Sequence, residues 1–389
     1  MNTQNTPVHI KLWHREFWLM SLASLLLTMS VYMLIPLLPQ WMMDVENFSP
    51  LEVGLSMGVF ALGLYVFGGY CTWLVERYRR NVVCMWAMLA VALDILLLWY
   101  LDSLRSQFVE LWIILLQRLV LGAAFGLAQM VLMSTLIIDT CESAVRTEAN
   151  HSASWFSRMA LALGPLVGVV VCTFLHFEGA IWVATGCAVL ALLLVKAVRF
   201  PFRTPEDRLH VMSLDRFFLP HGTVLFVHLM LVSLVIGMLL SLPHEPLFYA
   251  WMTGGFVLAI LAQQFVFPDA ELQSDIVTGF FMQLAALIIM LVYPQSFVSP
   301  VMIGLAAGLI GARFLLFFIK LSRHCQRGTS QSTYFLAWET GLTLGIAIGY
   351  GCLYRHEELL QWIAIVLTAL LLLVYHFFTH EWFIRNKNR

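Results

Sequence analysis

Long apolar runs separated by short polar connections dominate the sequence. Twelve runs are each close to the length of about 20 residues that a helix needs to cross a bilayer, and they lie at about 17–39, 52–74, 82–101, 110–138, 153–175, 179–199, 222–242, 247–267, 276–293, 298–319, 331–352 and 359–379. The first run is longer than the apolar region of a signal peptide, and no small-residue cleavage site follows it. We therefore expect an all-α membrane protein with twelve transmembrane helices, the first of them retained.

The longest connection divides this pattern into two equal parts. Residues 200–221 contain three prolines and a mixture of charges, as a linker would. The expected organisation is an N-terminal six-helix half (1–199), a cytoplasmic linker (200–221) and a C-terminal six-helix half (222–389). Two six-span halves are the plan of many secondary transporters, in which the substrate site lies between the halves near the midplane.

Composition agrees with a membrane protein and excludes several other classes. The chain is 60% hydrophobic and 12% charged, with a mean hydropathy of +0.83, whereas a soluble protein carries about twice that charge. The net charge of −1 gives no reason to expect a nucleic-acid partner. The seven cysteines form no CxxC pair and lie in or beside apolar runs, so we expect neither a disulfide framework nor a metal site.

The positive charges predict the orientation in the membrane. With the N-terminus inside, 18 of the 22 lysines and arginines fall in inside segments, and only Arg105 and Arg355 fall outside. The remaining two, Arg118 and Arg313, lie within spans. This bias predicts cytoplasmic termini and a multi-pass protein of a cell membrane, which we expect to be a bacterial inner membrane.

Four short motifs follow one another at corresponding positions of the first half. Span one ends with Pro36-x-x-Pro39, and the connection between spans two and three reads TWLVERYRRN (72–81). Span four contains Arg118-x-x-x-Gly122-x-x-x-Gly126, and span five contains Gly164-Pro165-x-x-Gly168. Together these motifs resemble those of the major facilitator superfamily, and most closely its twelve-span drug:proton antiporter branch.

The resemblance implies a role for the charged connection after span two. Leu74, Glu76, Arg77 and Arg80 stand at matching places of the superfamily's G-x-L-x-D-R-x-G-R-R/K signature, while Thr72 and Arg79 replace its two glycines. In the family, the acidic position and the later arginine join an acid at the cytoplasmic end of span four. The resemblance therefore implies a cytoplasmic gate relay of Glu76, Arg77, Arg80 and Asp139, and the missing glycines put the geometry of its turn in question.

Arg118 is the most unusual residue of the first half, because a permanent cation inside a span must pair or face water. Asp94 in span three lies at a similar depth, and Gln117 and Gln129 add polar groups to the span of Arg118. Two interpretations stay open. Arg118 and Asp94 form a structural ion pair, or Arg118 lines a wet cavity and controls the proton of a nearby carboxylate.

The second half offers a comparable pair. Arg313 in span ten and Glu339 in span eleven lie at matching depths on consecutive spans, and Trp338 precedes Glu339. Glu339 is the best candidate for a proton-carrying carboxylate, and a fixed salt bridge with Arg313 is the alternative. Trp338 is a candidate for lining a cavity that holds an apolar solute.

The glycine motifs have a simpler explanation. Gly122 and Gly126, like Gly164 and Gly168, are spaced so that helix backbones can approach closely in lipid. The resemblance adds that such packing closes the outer gate. Pro165 removes a backbone donor and is expected to bend span five.

The leading hypothesis is proton-coupled export of a small amphipathic molecule by alternating access. The alternatives are an uptake permease or a lipid flippase of the same fold and, from another class, a membrane-embedded enzyme or a non-transporting accessory protein. No motif indicates an enzyme, a catalytic residue, a cofactor or an ATP site. The expected partners are the substrate, protons and the lipid bilayer, and the expected state is a monomer.

Overall fold

A computed structural model describes residues 12–104, 109–142, 145–200, 210–267 and 271–388 of the chain. Arg105 and residues 201–209 of the predicted linker lie outside these ranges. The α-helices are α1 (Arg15–Tyr32), α2 (Leu34–Asp44), α3 (Pro50–Val66), α4 (Cys71–Arg77), α5 (Arg80–Ser103), α6 (Leu111–Val131), α7 (Ile137–Asp139), α8 (Arg146–Lys196), α9 (Thr223–Leu240), α10 (Pro246–Phe265), α11 (Leu272–Val292), α12 (Val298–Leu321), α13 (Arg327–Gly351), α14 (Glu357–Val374) and α15 (His380–Asn386). A π-helical turn at Leu132–Leu136 joins α6 to α7, and another at Tyr375–Thr379 joins α14 to α15.

Within the described ranges, ten helical segments are long and apolar enough to cross a membrane. One of them, Arg146–Lys196, has 51 residues, and a straight helix of that length would measure roughly 77 Å, more than twice the thickness of a bilayer core. Its backbone leaves the helical region at His176 (φ 58°, ψ −174°), so the segment turns there. The expectation of twelve spans requires that this segment crosses twice and that α13, which is not among the ten, also crosses, and it stays a prediction.

The first apolar run is divided where its proline motif begins. A helical amide at position 36 would bond the carbonyl of Tyr32, but Pro36 has no N–H. The helix accordingly breaks at Met33 and resumes as α2, with Pro39 inside it. The break places Tyr32 at the last turn of α1, a position that matters for the site below.

Helices before the linker meet helices after it along two seams. In the first, α3 packs against α13, and in the second, α8 packs against α10. The first seam runs from the close approach of Gly54 to the backbone of Gly351 at one end to a hydrogen bond of 2.7 Å between the hydroxyls of Tyr65 and Thr340 further along. The α3–α13 contact therefore closes the bundle on one side over most of its thickness.

Glycines set the spacing between helices of the first part. A Cβ added at Gly126 would lie 2.9 Å from the carbonyl oxygen of Leu64 in α3, and one at Gly168 would lie 2.6 Å from that of Met33. Gly122 likewise touches α3, and Gly164 packs on Tyr32. Side chains at these four positions would push α6 from α3 and α8 from α1. The role of this packing in an outer gate stays a prediction.

Pro165 lies inside α8 without interrupting it. The non-helical residue of this segment is His176, which lies between predicted spans five and six and not at the proline.

Candidate functional site

A small cavity lies between helices from both parts of the chain. Its walls come from α1, α3, α6 and α13, and its lining residues are Val31, Tyr32, Ile35, Met57, Phe60, Arg118, Glu339, Leu342, Thr343 and Ile346. The volume of about 20 Å³ is enough for roughly one water molecule. Arg118 and Glu339, which the sequence analysis assigned to separate pairs, thus face the same space.

Arg118 reaches this cavity from α6 as a buried cation. Its side chain is 4% exposed, and the guanidinium lies 4.8 Å from the centre of the Phe60 ring. Its Nε and Nη1 atoms meet no hydrogen-bond acceptor among the described residues. A guanidinium cannot lose its proton in a protein, so a full positive charge borders the cavity, and it takes part in no salt bridge of the described residues.

Glu339 enters the cavity from α13, held by one hydrogen bond. The hydroxyl of Tyr32 donates to its Oε1 at 2.6 Å, while its Oε2 meets no donor of the described chain. The neighbouring Trp338 is also buried, and its ring stacks on that of Tyr334 at 6.5 Å. The break at Met33 positions the hydroxyl of Tyr32 for this contact, and a lone tyrosine in an apolar run gave no signal of it.

Arg118 and Asp94, whose ion pair is one of the two interpretations above, form no salt bridge within the described residues, although their charges are close enough to interact. The carboxylate of Asp94 accepts from the side-chain amide of Gln117 at 2.6 Å, and Asp94 is not one of the residues lining the cavity. Arg118 follows Gln117 by one position, so about 100° of helix rotation separates their side chains. Gln129 donates to Thr28 at 2.6 Å and ties α6 to α1.

The salt bridge considered between Arg313 and Glu339 is wrong, because both residues have other partners. Arg313 forms an ion pair with Asp275 of α11, and its Nε donates to the Oδ2 of that residue at 2.9 Å. The side chain of Arg313 is directed towards α11 and away from α13. Matching depth on consecutive helices did not determine which way each side chain points.

Sequence reasoning missed a third buried arginine. Arg158 was counted with the connection before span five, yet it is 4% exposed. Its Nη1 donates to the carbonyl of Gly308 in α12 at 3.2 Å, its other nitrogens bond Ser154, and its guanidinium lies 4.4 Å from the ring of Trp155. The signal available was its position five residues inside an apolar run, which the charge count overlooked.

The residues of the predicted gate relay take part in two separate ion pairs and not in one network. Arg80 forms an ion pair with Asp139, as the family pattern implies. Glu76 instead pairs with Arg216, whose Nη2 lies 2.9 Å from its Oε1. Arg77 is exposed at the end of α4.

Arg216 belongs to the described part of the linker, residues 210–219, which lies between the two parts of the chain. The hydroxyl of Thr329 in α13 donates to the Asp215 carboxylate at 2.9 Å and accepts from the amide of Arg216 at 2.8 Å. The ring of Phe217 lies 6.2 Å from that of Tyr65 in α3. We call this set of contacts the linker latch, and the end of the bundle that it covers the linker face.

The helical fold described above agrees with a sequence match to a known family. The family model of the Major Facilitator Superfamily matches residues 20–275, about two thirds of the chain. The chain belongs to the major facilitator superfamily. No curated protein matches its sequence.

Solved structures of transporters share this major facilitator fold. The chain is similar to a mutant of the nucleoside transporter NupG (11% identity, TM-score 0.66, covering 93% of this chain and 99% of that one). It also resembles a bacterial homologue of the iron transporter ferroportin in an outward-facing state (14%, 0.65, 95% and 99%) and the POT family transporter PepTSo (11%, 0.67, 94% and 98%). At these identities the likeness establishes the fold alone.

Family and fold together identify a multi-pass membrane transporter of the major facilitator type, which acts on a small-molecule substrate. They point away from the membrane-embedded enzyme considered above. They do not distinguish the drug:proton antiporter branch from other branches.

Proposed function

We propose that the protein is a proton-coupled secondary transporter that moves a small solute across a cell membrane by alternating access. The observation that carries the proposal is the shared cavity, in which Arg118 and Glu339 meet from the two parts of the chain. A site between the parts is exposed first to one side and then to the other when they rock against each other. A cavity of about 20 Å³ fits a closed intermediate, since any solute would require the helices to separate.

Glu339 is the proposed proton carrier because it is the carboxylate with the least fixed surroundings. Asp275 is bound by Arg313, and Asp94 accepts from Gln117 away from the cavity. Glu339 has a single donor, Tyr32, and one oxygen without a partner among the described residues. It can gain or lose a proton without breaking an ion pair.

The linker latch and the α3–α13 seam are the proposed barriers to the cavity. On the linker face, which the charge bias places in the cytoplasm, Arg216 joins Glu76 while Asp215 joins Thr329. Opening that face requires these contacts to break. Partly exposed pairs of this kind are worth about 1 kcal/mol or less each, so a bound solute can offset them.

The direction of transport depends on whether the solute and the proton favour or oppose each other's binding. Export follows from the resemblance to the antiporter branch. Uptake is a second candidate, because Arg118 and Arg158 lie near the middle of the bundle without a carboxylate bound to either. The location as a monomer in a bacterial inner membrane, with both termini in the cytoplasm, belongs to the same proposal.

Proteoliposomes that enclose a pH-sensitive dye test the proposal. A panel of solutes is added outside, and the internal pH is followed. Wild-type protein should change the internal pH with at least one solute, and Glu339→Gln should abolish that change while still allowing the solute to equilibrate. Glu358→Gln, at an exposed carboxylate, is the matched control and should behave like the wild type. Full solute-driven proton movement by Glu339→Gln would remove Glu339 from the mechanism.

A further inference from the structure

The buried charges between the two parts of the chain do not balance. Within the described ranges, Arg118 and Arg158 are each 4% exposed, and neither takes part in an ion pair of the described residues. Glu339 is the one acidic residue that lines the cavity. Since the Arg118 guanidinium cannot deprotonate, the cavity that it shares with Glu339 carries a charge of about 0 with Glu339 ionised and about +1 with Glu339 protonated. Arg158 adds a second positive charge outside the cavity lining.

We propose that the substrate carries an acidic group, a carboxylate or a phosphate, which binds Arg118 and moves in the same direction as the proton. This inference rests on the proposed function and names its substrate class. It favours uptake over export wherever the proton gradient is directed inward.

The geometry of Arg118 carries the first step. Its Nε and Nη1 lack an acceptor among the described residues, although the side chain borders the cavity. Each of these two nitrogens can donate a charge-assisted hydrogen bond to an oxygen of a carboxylate or phosphate. Phe60 fixes the guanidinium plane from one side, so little side-chain freedom is lost when an anion binds.

Arg158 extends the positive charge towards the linker face. It bonds Gly308 of α12, and both its Nη1 and the hydroxyl of Tyr334 lie beside the same position, Gly311. The Tyr334 hydroxyl meets no partner in the described chain, and its ring stacks on Trp338. A second buried cation and aromatic rings thus continue from the Glu339 site along α13.

Glu339 couples the proton to the anion. When Glu339 is ionised, it offsets the charge of Arg118 across the shared cavity. When it is protonated, Arg118 loses the negative charge that faces it in the cavity, which is costly, and an acidic substrate replaces that charge. Protonation and anion binding therefore favour each other, which is the condition for co-transport.

Other titratable groups around Glu339 do not compete for this role. Tyr32 of α1 and Arg118 of α6 face it directly. On the remaining helices packed against α13, Tyr65 of α3 is bonded to Thr340, His228 of α9 to Thr379, and Arg313 of α12 to Asp275. On α13 itself, Tyr334 and Tyr350 are buried phenols outside the cavity lining.

The test is a binding screen of purified wild-type protein with sets of matched probes. Each set holds one carbon skeleton as carboxylate, amide and amine (benzoate, benzamide and benzylamine; succinate and succinamide), together with phenyl phosphate and lysophosphatidate. Thermal stabilisation should occur with acids and not with their amides or amines. Stabilisation by lysophosphatidate alone would identify the acidic group as that of a lipid, whereas stabilisation by the soluble acids would identify a water-soluble substrate.

Variants decide whether Arg118 is the binding group. Arg118→Gln should weaken the binding of acids at least tenfold, and Arg118→Lys, which keeps the charge, should restore part of it. Arg385→Gln, at an exposed arginine, is the matched control. If Arg118→Gln does not fold, the comparison of Arg118→Lys with Arg385→Gln gives the same information. Stabilisation by amines or amides alone, by none of the acids, or by acids equally in Arg118→Gln would overturn the inference.

The internal pH of proteoliposomes separates this inference from the proposed function. Adding a bound acid outside should acidify the interior, because proton and anion enter together. A solute that moves inward and makes the interior alkaline through Glu339 would retain proton coupling and refute co-transport of an anion. Acid uptake that depends on Arg118 but is the same in Glu339→Gln would retain the substrate class and refute the proton role.

Discussion

Arg313, which is half-buried, and Arg118, which is buried, are arginines of opposite character. Arg313 in α12 is bound to the carboxylate of Asp275, whose side chain is 0% exposed, and the pair fastens α12 to α11. Arg118 in α6 lies on an aromatic ring and faces a cavity with two of its nitrogens free of any acceptor in the described chain. The two parts of this transporter thus use the same residue type at comparable distances from a helix end in different ways.

This comparison shows that the partner of an arginine side chain, and not its degree of burial, distinguishes a structural charge from a functional one. A buried ion pair becomes strongly unfavourable when one member is removed, because the other charge is left unpaired. A buried cation that faces an exchangeable carboxylate must tolerate the loss of its partner during each cycle. Stability should therefore depend on the Arg313 pair, and transport on the Arg118 cavity.

The largest effect is expected from breaking the Arg313 pair. Asp275→Asn leaves Arg313, whose side chain is 12% exposed, without its counter-ion and should lower the free energy of unfolding by at most about 3–5 kcal/mol. Thermal unfolding in detergent and the yield of monodisperse protein measure this loss.

A double variant gives the control for that prediction. Asp275→Asn with Arg313→Gln removes both charges and should recover most of the lost stability and transport. If Asp275→Asn alone unfolds at the wild-type temperature, the structural assignment of this pair is wrong.

Arg118→Gln should reduce transport much more than stability, which is the reverse of the effect expected for Asp275→Asn. No ion pair is broken, so we expect the free energy of unfolding to fall by about 1 kcal/mol, the centre of the distribution for single substitutions. Solute transport in proteoliposomes should fall at least tenfold. A protein as unstable as Asp275→Asn would show that Arg118 has a structural partner after all.

The sequence located these charges but could not assign their partners. Arg118, Arg313 and Glu339 stand out because ionisable residues are rare in apolar runs. Which helix each one faces depends on helix rotation and tilt, and these follow from packing that a linear pattern does not contain. The alternative interpretation of Glu339 paired it with Arg313 on the preceding span, whereas its observed partner, Tyr32, is 307 positions away.

Motif and hydropathy reasoning predicted the family and the helical architecture, but it did not predict the surroundings of Arg158 or the partner of Glu76. Arg158 was assigned to a connection because it lies only five positions inside its run. Glu76 was assigned to the relay with Arg80 and Asp139, but a linker arginine supplies its partner. That contact depends on how the linker folds back on the bundle, for which residues 210–219 contain no recognisable motif.

A smaller effect is expected at the linker latch. Arg216→Ala removes the partner of Glu76 and should change stability by about 1 kcal/mol or less, but it should favour opening of the linker face. Cys71 reports this opening, because it is buried and lies next to Thr72, which donates to the carbonyl of Asp215. In a version of the chain that keeps only this cysteine, maleimide labelling should become several-fold faster.

Glu76→Gln should accelerate the labelling of Cys71 to the same degree, and the double variant with Arg216→Ala should add little. Additive effects of the two substitutions would show that the two side chains act separately.

The smallest effect is expected from Tyr32→Phe. This substitution removes one hydrogen bond to Glu339, which is worth about 1 kcal/mol, and keeps the ring. Transport should persist with its pH dependence displaced, because Tyr32 donates the hydrogen bond that Glu339 accepts. A pH profile of initial rates measures this displacement, and an unchanged profile would indicate that Tyr32 does not contact the titrating group.

Infrared difference spectroscopy of the lipid-reconstituted protein between alkaline and acidic pH tests the central claim most directly, because it detects protonated carboxyl groups without a known substrate. The account predicts a carboxylic-acid carbonyl band that forms on acidification in the wild type and in Glu358→Gln, and that is lost in Glu339→Gln. A band of full intensity in Glu339→Gln would contradict the assignment of Glu339 as the proton-binding group of the Arg118 cavity.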